Sequence, residues 1–80
     1  MSTSASQWID RYARAVGIDP PDEEQTTQLL ALAAAAAHAS ERTAAPVSTW
    51  IAARAGLSTG EALSIAQDLA DTLEAGGPGP

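Results

Sequence analysis

The sequence contains no cysteine, no phenylalanine and no lysine. Without cysteine there is no disulfide framework and no thiolate metal site. No apolar run is long enough for a signal peptide or a membrane span, so we expect a soluble, cytoplasmic protein that does not bind membranes. Without phenylalanine, large side chains are scarce in a chain whose apolar fraction is 45%.

Positive charge is also scarce, since four arginines face ten acidic side chains and the net charge is -6. Each half of the chain carries two arginines and five acids. Such a surface disfavours unspecific attraction to phosphate backbones and to anionic membranes. Nucleic acid is therefore not an expected partner.

Eighty residues make one domain with a thin core, because folding at this length removes only about 60 to 65% of the chain surface from water. Alanine supplies much of the apolar count, so helix backbones must approach closely. Trp8 and Trp50 are expected to fill this core, and either one would become an interface anchor if it stayed exposed.

Helix boundaries are marked by local signals. Capping-box spacings predict three helix starts, and Pro46 predicts the start of the third helix. Gly17, Gly56 and the pair Pro20 and Pro21 predict helix ends. We predict an all-α, compact four-helix bundle with helices at about 5–16, 22–40, 46–55 and 58–75. We expect residues 1–75 to form the single domain and residues 76–80 to form a disordered Gly/Pro tail. In the last helix a buried stripe is expected from Leu63, Ile65, Ala66, Leu69, Ala70 and Leu73.

Polar and aromatic residues gather where the second helix meets the third. His38 is the single histidine and lies near a helix C-terminus, where the exposed carbonyl ends attract positive charge. A metal site would need two or three further ligands, and only Glu41 is close in sequence, so no metal or cofactor is expected. Arg42 could hold an anion or a carboxylate of a partner, or simply end the helix.

Residues 51–63, "IAARAGLSTGEAL", look like the turn of a helix-turn-helix motif. The second helix of such a motif reads bases and contacts phosphates with polar and basic side chains. Here residues 58–74 carry four acids and no basic residue. We interpret the turn as a generic corner and keep a small DNA-binding regulator using residues 51–74 as the alternative.

Signatures of catalysis are missing from the sequence. It has no glycine-rich phosphate loop, nucleophile elbow or calcium loop, and it lacks the Asp-Ser-Leu attachment site of acyl carrier proteins. We therefore expect no catalytic residues and no enzymatic activity.

Residues 37–56, "AHASERTAAPVSTWIAARAG", resemble the signature of a small helical domain of unknown function found in high-GC Gram-positive bacteria. Trp8 and the turn from Gly17 to Pro20 agree with the same family, so the resemblance covers most of the chain. The sequence departs at Thr43, where the family often has proline, and at Trp50, where it commonly has a smaller aromatic residue. The matching positions of the central motif are His38, Glu41, Arg42, Ala44, Ala45, Pro46, Thr49 and Trp50.

Domains of this family occur alone or attached to molybdenum cofactor (molybdopterin) guanylyltransferases, so the resemblance implies an accessory role near that pathway and no defined activity. Our hypothesis is a non-catalytic interaction module whose corner contacts a protein partner, such as the guanylyltransferase, or an anionic cofactor. A purely structural corner and a homodimer closed by leftover apolar surface are open alternatives. The candidate contact residues are His38, Arg42, Thr49 and Trp50.

Overall fold

The computed structural model describes residues 2–75, and the predicted tail at 76–80 lies outside this range. Four helices fill the described part, and it contains no strand, which confirms the predicted all-α class. The helices are α1 (Ala5–Val16), α2 (Glu23–Ala39), α3 (Ala44–Arg54) and α4 (Thr59–Ala75).

Capping boxes open three of the four helices, as predicted. At α2, for example, the Gln25 N–H donates to Asp22 Oδ1 over 2.8 Å and the Asp22 N–H donates to Gln25 Oε1 over 2.9 Å. Equivalent pairs join Ser4 with Gln7 and Ser58 with Glu61. These reciprocal bonds satisfy amide groups that the first turn of a helix leaves without partners.

Helix α3 begins two residues before its predicted start. No side chain caps it, and the Ala44 N–H and Ala45 N–H instead donate to the carbonyls of Glu41 and Arg42. Pro46 still lies in the first turn, where its missing N–H leaves no intrahelical bond unmade. The start was mispredicted because Ala44 and Ala45 are strong helix formers without any capping signal before them.

Gly17 and Gly56 end α1 and α3 with φ angles of 85° and 75°. After α1, the Ile18 N–H donates to the Ala13 carbonyl, and the Gly17 N–H donates to the Arg14 carbonyl. The same pair of bonds follows α3. This left-handed ending is the Schellman arrangement that the glycines predicted.

Helix α2 is the centre of the packed part, because both α3 and α4 pack against it. The buried cluster consists of Leu32, Ala52 and Ala62, one from each of these helices. The Thr59 hydroxyl also donates to Gln28 Oε1 and so joins α4 to α2. Helix α1 has no comparable packing against any other helix.

Candidate functional site

One side of the packed part carries an open apolar groove of about 340 Å³ between α2, α3 and α4. The buried residues Leu32, Ala52 and Ala62 lie at its base. We call it the α2–α3–α4 groove. Its largest exposed lining residues, each between 54% and 57% accessible, are Ile51, Ile65, Leu69 and Leu73.

The α4 side of the groove follows from a repeat of four in the sequence. Ile65, Leu69 and Leu73 form one row along the helix. The sequence predicted that these three residues would be buried, and this prediction is wrong because each is more than half exposed. They stay exposed because α1, the remaining helix, does not pack over them.

The groove has no group that could carry acid, base or charge chemistry. Among the described residues 2–75, the only polar ones that line it are Ser40 and Ser48, and no titratable side chain lines it. Among residues 2–75, no three histidine, cysteine or acidic side chains are grouped so that they could hold a metal ion. An apolar groove between helices is instead suited to the apolar face of another helix.

A second apolar surface lies on α1. Trp8 and Tyr12 stack with ring centroids 5.8 Å apart and planes inclined by 11°. Trp8 is 62% exposed, and Tyr12 and Val16 are also more than half exposed. We call these three residues the α1 aromatic face. The expectation that Trp8 fills the core is therefore wrong, since α1 stands apart from the packed helices.

Trp50 is also outside the core, with 63% of its surface exposed. The Arg54 guanidinium carbon lies 5.8 Å from the centroid of the Trp50 ring, which is a cation–π contact along α3. Trp50 is not among the residues that line the groove. The core assignment of Trp50 is wrong, and the residue is an exposed aromatic group with a cation beside it.

The other three predicted contact residues are only partly brought together. His38 is exposed and lines a second cavity, of about 380 Å³, with Glu74 next to the groove. The Thr49 hydroxyl donates to the Pro46 carbonyl over 2.7 Å, within α3. Arg42 is exposed in the turn before α3. Arg42, Thr49 and Trp50 line neither the groove nor the His38 cavity, and the role of all four stays a prediction.

Glu61 differs electrostatically from an ordinary surface acid. Its carboxylate accepts a hydrogen bond from the Ser58 N–H over 3.0 Å. This bond, supported by the Ser58 side chain, holds the pKa of Glu61 below its ordinary value. The effect belongs to the start of α4 and not to the groove.

No helix within residues 2–75 has the length and apolar character needed to cross a membrane. A family model described as a domain of unknown function (DUF6457) matches residues 1–77. No curated protein and no solved structure matches the chain. Because the match covers nearly the whole sequence, the chain belongs to the DUF6457 family of domains of unknown function.

Proposed function

We propose that this domain is a non-catalytic protein-interaction module and that the α2–α3–α4 groove is its binding surface. The supporting observation is that Ile51, Ile65, Leu69 and Leu73 line one groove while more than half exposed. Fully burying one such side chain is worth about 1.5 to 3 kcal/mol. A contiguous apolar surface of this kind on a small domain is typical of an interaction site.

The occupant that fits is an amphipathic helix with apolar residues at intervals of three and four. Alanines such as Ala36, Ala66 and Ala70 line the groove and allow the backbone of such a helix to come close. Asp68 and Asp71 are exposed on α4, which has no basic residue. A partner helix flanked by arginine or lysine would therefore be favoured over an acidic one.

The pathway that we propose is molybdenum cofactor biosynthesis, with a molybdenum cofactor guanylyltransferase as the partner and the cytoplasm as the location. Its support is the resemblance of residues 37–56 to domains from high-GC Gram-positive bacteria that occur alone or attached to these enzymes. The chain would then serve the enzyme as an accessory domain, and the corner around His38, Arg42, Thr49 and Trp50 would be a second contact.

Calorimetric titration of the full chain into the guanylyltransferase tests the proposal. Leu69→Ser and Ile65→Ser change exposed groove residues and should each weaken binding about tenfold or more. Leu30→Ser is the matched control, because Leu30 is 67% exposed and does not line the groove. If all three variants bind as tightly as the unchanged chain, the groove is excluded as the binding surface.

Substitutions at the corner separate the remaining interpretations. If Arg42→Ala and Trp50→Ala abolish binding while the groove variants bind normally, the corner is the contact surface. If they lower only the thermal stability, the corner is purely structural.

DNA binding is disfavoured by the charge of α4, which carries Glu61, Asp68, Asp71 and Glu74 and no arginine. Four carboxylates along the would-be recognition helix repel the phosphate backbone. A gel-shift assay with duplex DNA at low salt tests this alternative. A salt-sensitive complex would favour the regulator and contradict the interaction module.

A further inference from the structure

We propose that in the free protein the α2–α3–α4 groove is filled by α1 of a second copy of this chain, and that two copies exchange α1 reciprocally to form a homodimer. This inference goes beyond the proposed function, since it concerns the chain alone and requires no other protein. It assigns one occupant to the groove and one role to the α1 aromatic face.

The accessible surface of the chain is larger than that of an ordinary folded monomer of its mass. The accessible surface is 6308 Å², whereas a folded monomer of 8.1 kDa exposes about 4,500 Å². Met1 and residues 76–80 can contribute at most about 700 Å² to this difference. The excess is therefore about 1,100 to 1,800 Å² per chain, or about 2,200 to 3,600 Å² for two chains, which is in the range of obligate dimer interfaces.

The dimensions of the two surfaces agree. Helix α1 has 12 residues and is about 18 Å long, and the part of α4 from Ala62 to Leu73 that lines the groove is about 17 Å long. Trp8, Tyr12 and Val16 repeat at intervals of four, as do the exposed groove residues of α4. Large rings on one surface thus meet a groove lined largely by alanine on the other.

The charges of the two helices are complementary. Helix α1 carries Asp10, Arg11 and Arg14 and has a net charge of +1. Helix α4 carries four acids and no base, and its net charge is -4. Two of the four arginines of the chain therefore lie on α1, which we place against α4, the most acidic helix. This arrangement favours α1 over an acidic occupant of the groove.

The connection between α1 and α2 favours a second copy over the same chain. Hydrogen bonds at Gly17 and in the Asp22 capping box hold the two helix ends, and Pro20 and Pro21 stiffen the turn between them. The groove begins at Leu32, about 14 Å along α2 from this turn. Placing α1 in its own groove would require the backbone of this turn to change conformation, whereas exchange between two copies keeps the turn as it is in the structure and closes with two-fold symmetry.

Sedimentation equilibrium of the full chain tests the dimer. We expect a mass about twice 8.1 kDa, which falls to the monomer value at low concentration. Trp8→Ser with Tyr12→Ser, or Leu69→Asp alone, should each raise the dissociation constant about 30-fold or more. Leu30→Asp should not change it, because Leu30 is exposed outside both surfaces. A monomer at all concentrations would overturn the proposal.

Trp8 fluorescence in a Trp50→Phe background identifies the occupant. We expect the emission to shift to shorter wavelength as the concentration rises, because Trp8 leaves water on dimerisation. If Leu69→Asp dissociates the dimer and the Trp8/Tyr12 double variant does not, the two grooves face each other. A monomer with blue-shifted emission would mean that α1 folds onto its own chain. Either result overturns the exchange of α1, and neither depends on whether the guanylyltransferase binds.

Discussion

The Thr59 hydroxyl donates a hydrogen bond to Oε1 of Gln28, which lies 31 positions earlier in the chain. The bond joins the first turn of α4 to the second turn of α2. A Cβ atom built on the neighbouring Gly60 lies 3.4 Å from Nε2 of Gln28, so the two helices approach closely here. This contact sets the position of α4 relative to α2 at one end of the groove.

The Gln28–Thr59 pair should therefore show energetic coupling. In a double-mutant cycle of Gln28→Ala and Thr59→Val, we expect a coupling of about 1 kcal/mol in the free energy of unfolding. Urea denaturation of the four proteins measures it. Thr59→Ser is the control that keeps the hydroxyl, and zero coupling in the cycle would mean that the bond contributes nothing.

Leu32 is the residue whose truncation should destabilise the domain most. It is 4% exposed and contacts both α3 and α4 through the buried cluster. Leu32→Ala should cost about 2 to 5 kcal/mol, because it leaves a cavity where three helices meet. Leu30→Ala removes the same atoms from a side chain that is 67% exposed, and it should cost less than about 0.5 kcal/mol. Similar losses from both variants in urea titrations would contradict the burial pattern.

Gly56 should resist replacement because of its backbone angle and not because of space. Its φ is 75°, and no atom lies within 4 Å of a Cβ built there. Gly56→Ala should lower the free energy of unfolding by about 1 kcal/mol, because a residue with a Cβ atom is sterically disfavoured in this left-handed conformation. Gly56→Asn should lose less, because asparagine tolerates it better. Equal stability of the alanine variant would show that the turn after α3 adjusts freely.

Glu61 should contribute to the loss of folding stability of the domain at low pH. Its pKa is lowered in the folded state, so its stabilising effect is fully present above its ordinary pKa of 4.5 and is lost as pH falls through the lower folded value. Glu61→Gln keeps an acceptor for the Ser58 N–H and removes the titration. We expect the variant to lose less stability than the unchanged chain when the pH is lowered below 4.5. Urea midpoints across this range measure the difference, and parallel curves would contradict the role of the bond.

Local structure was largely predictable because its determinants lie within a few residues of each other. The capping box at Asp22 and Gln25 and the left-handed Gly17 involve only neighbouring atoms, so the starts and ends of α1, α2 and α4 agree with the prediction within one residue. The start of α3 was missed because it depends on carbonyls of the preceding turn and not on a capping side chain.

The candidate site was less predictable. His38 and Trp50 were predicted to be contact residues because polar and aromatic residues are concentrated at one helix junction. The structure places His38 beside the groove and Trp50 outside it. The row from Ile65 to Leu73 was recognised as apolar, but its exposure was not foreseen. The sequence did contain a signal of this exposure, since a chain this short has more apolar stripes than its helices can cover.

The sequence by itself determined that the chain folds as four helices, where most of them begin and end, and that their surface is acidic. These properties depend on capping, backbone conformation and composition, which act over one or two turns. Only the tertiary structure decided which apolar faces meet. It placed α3 and α4 against α2 and left Trp8, Tyr12 and Leu69 in water, because burial depends on the direction in which each turn sends the next helix.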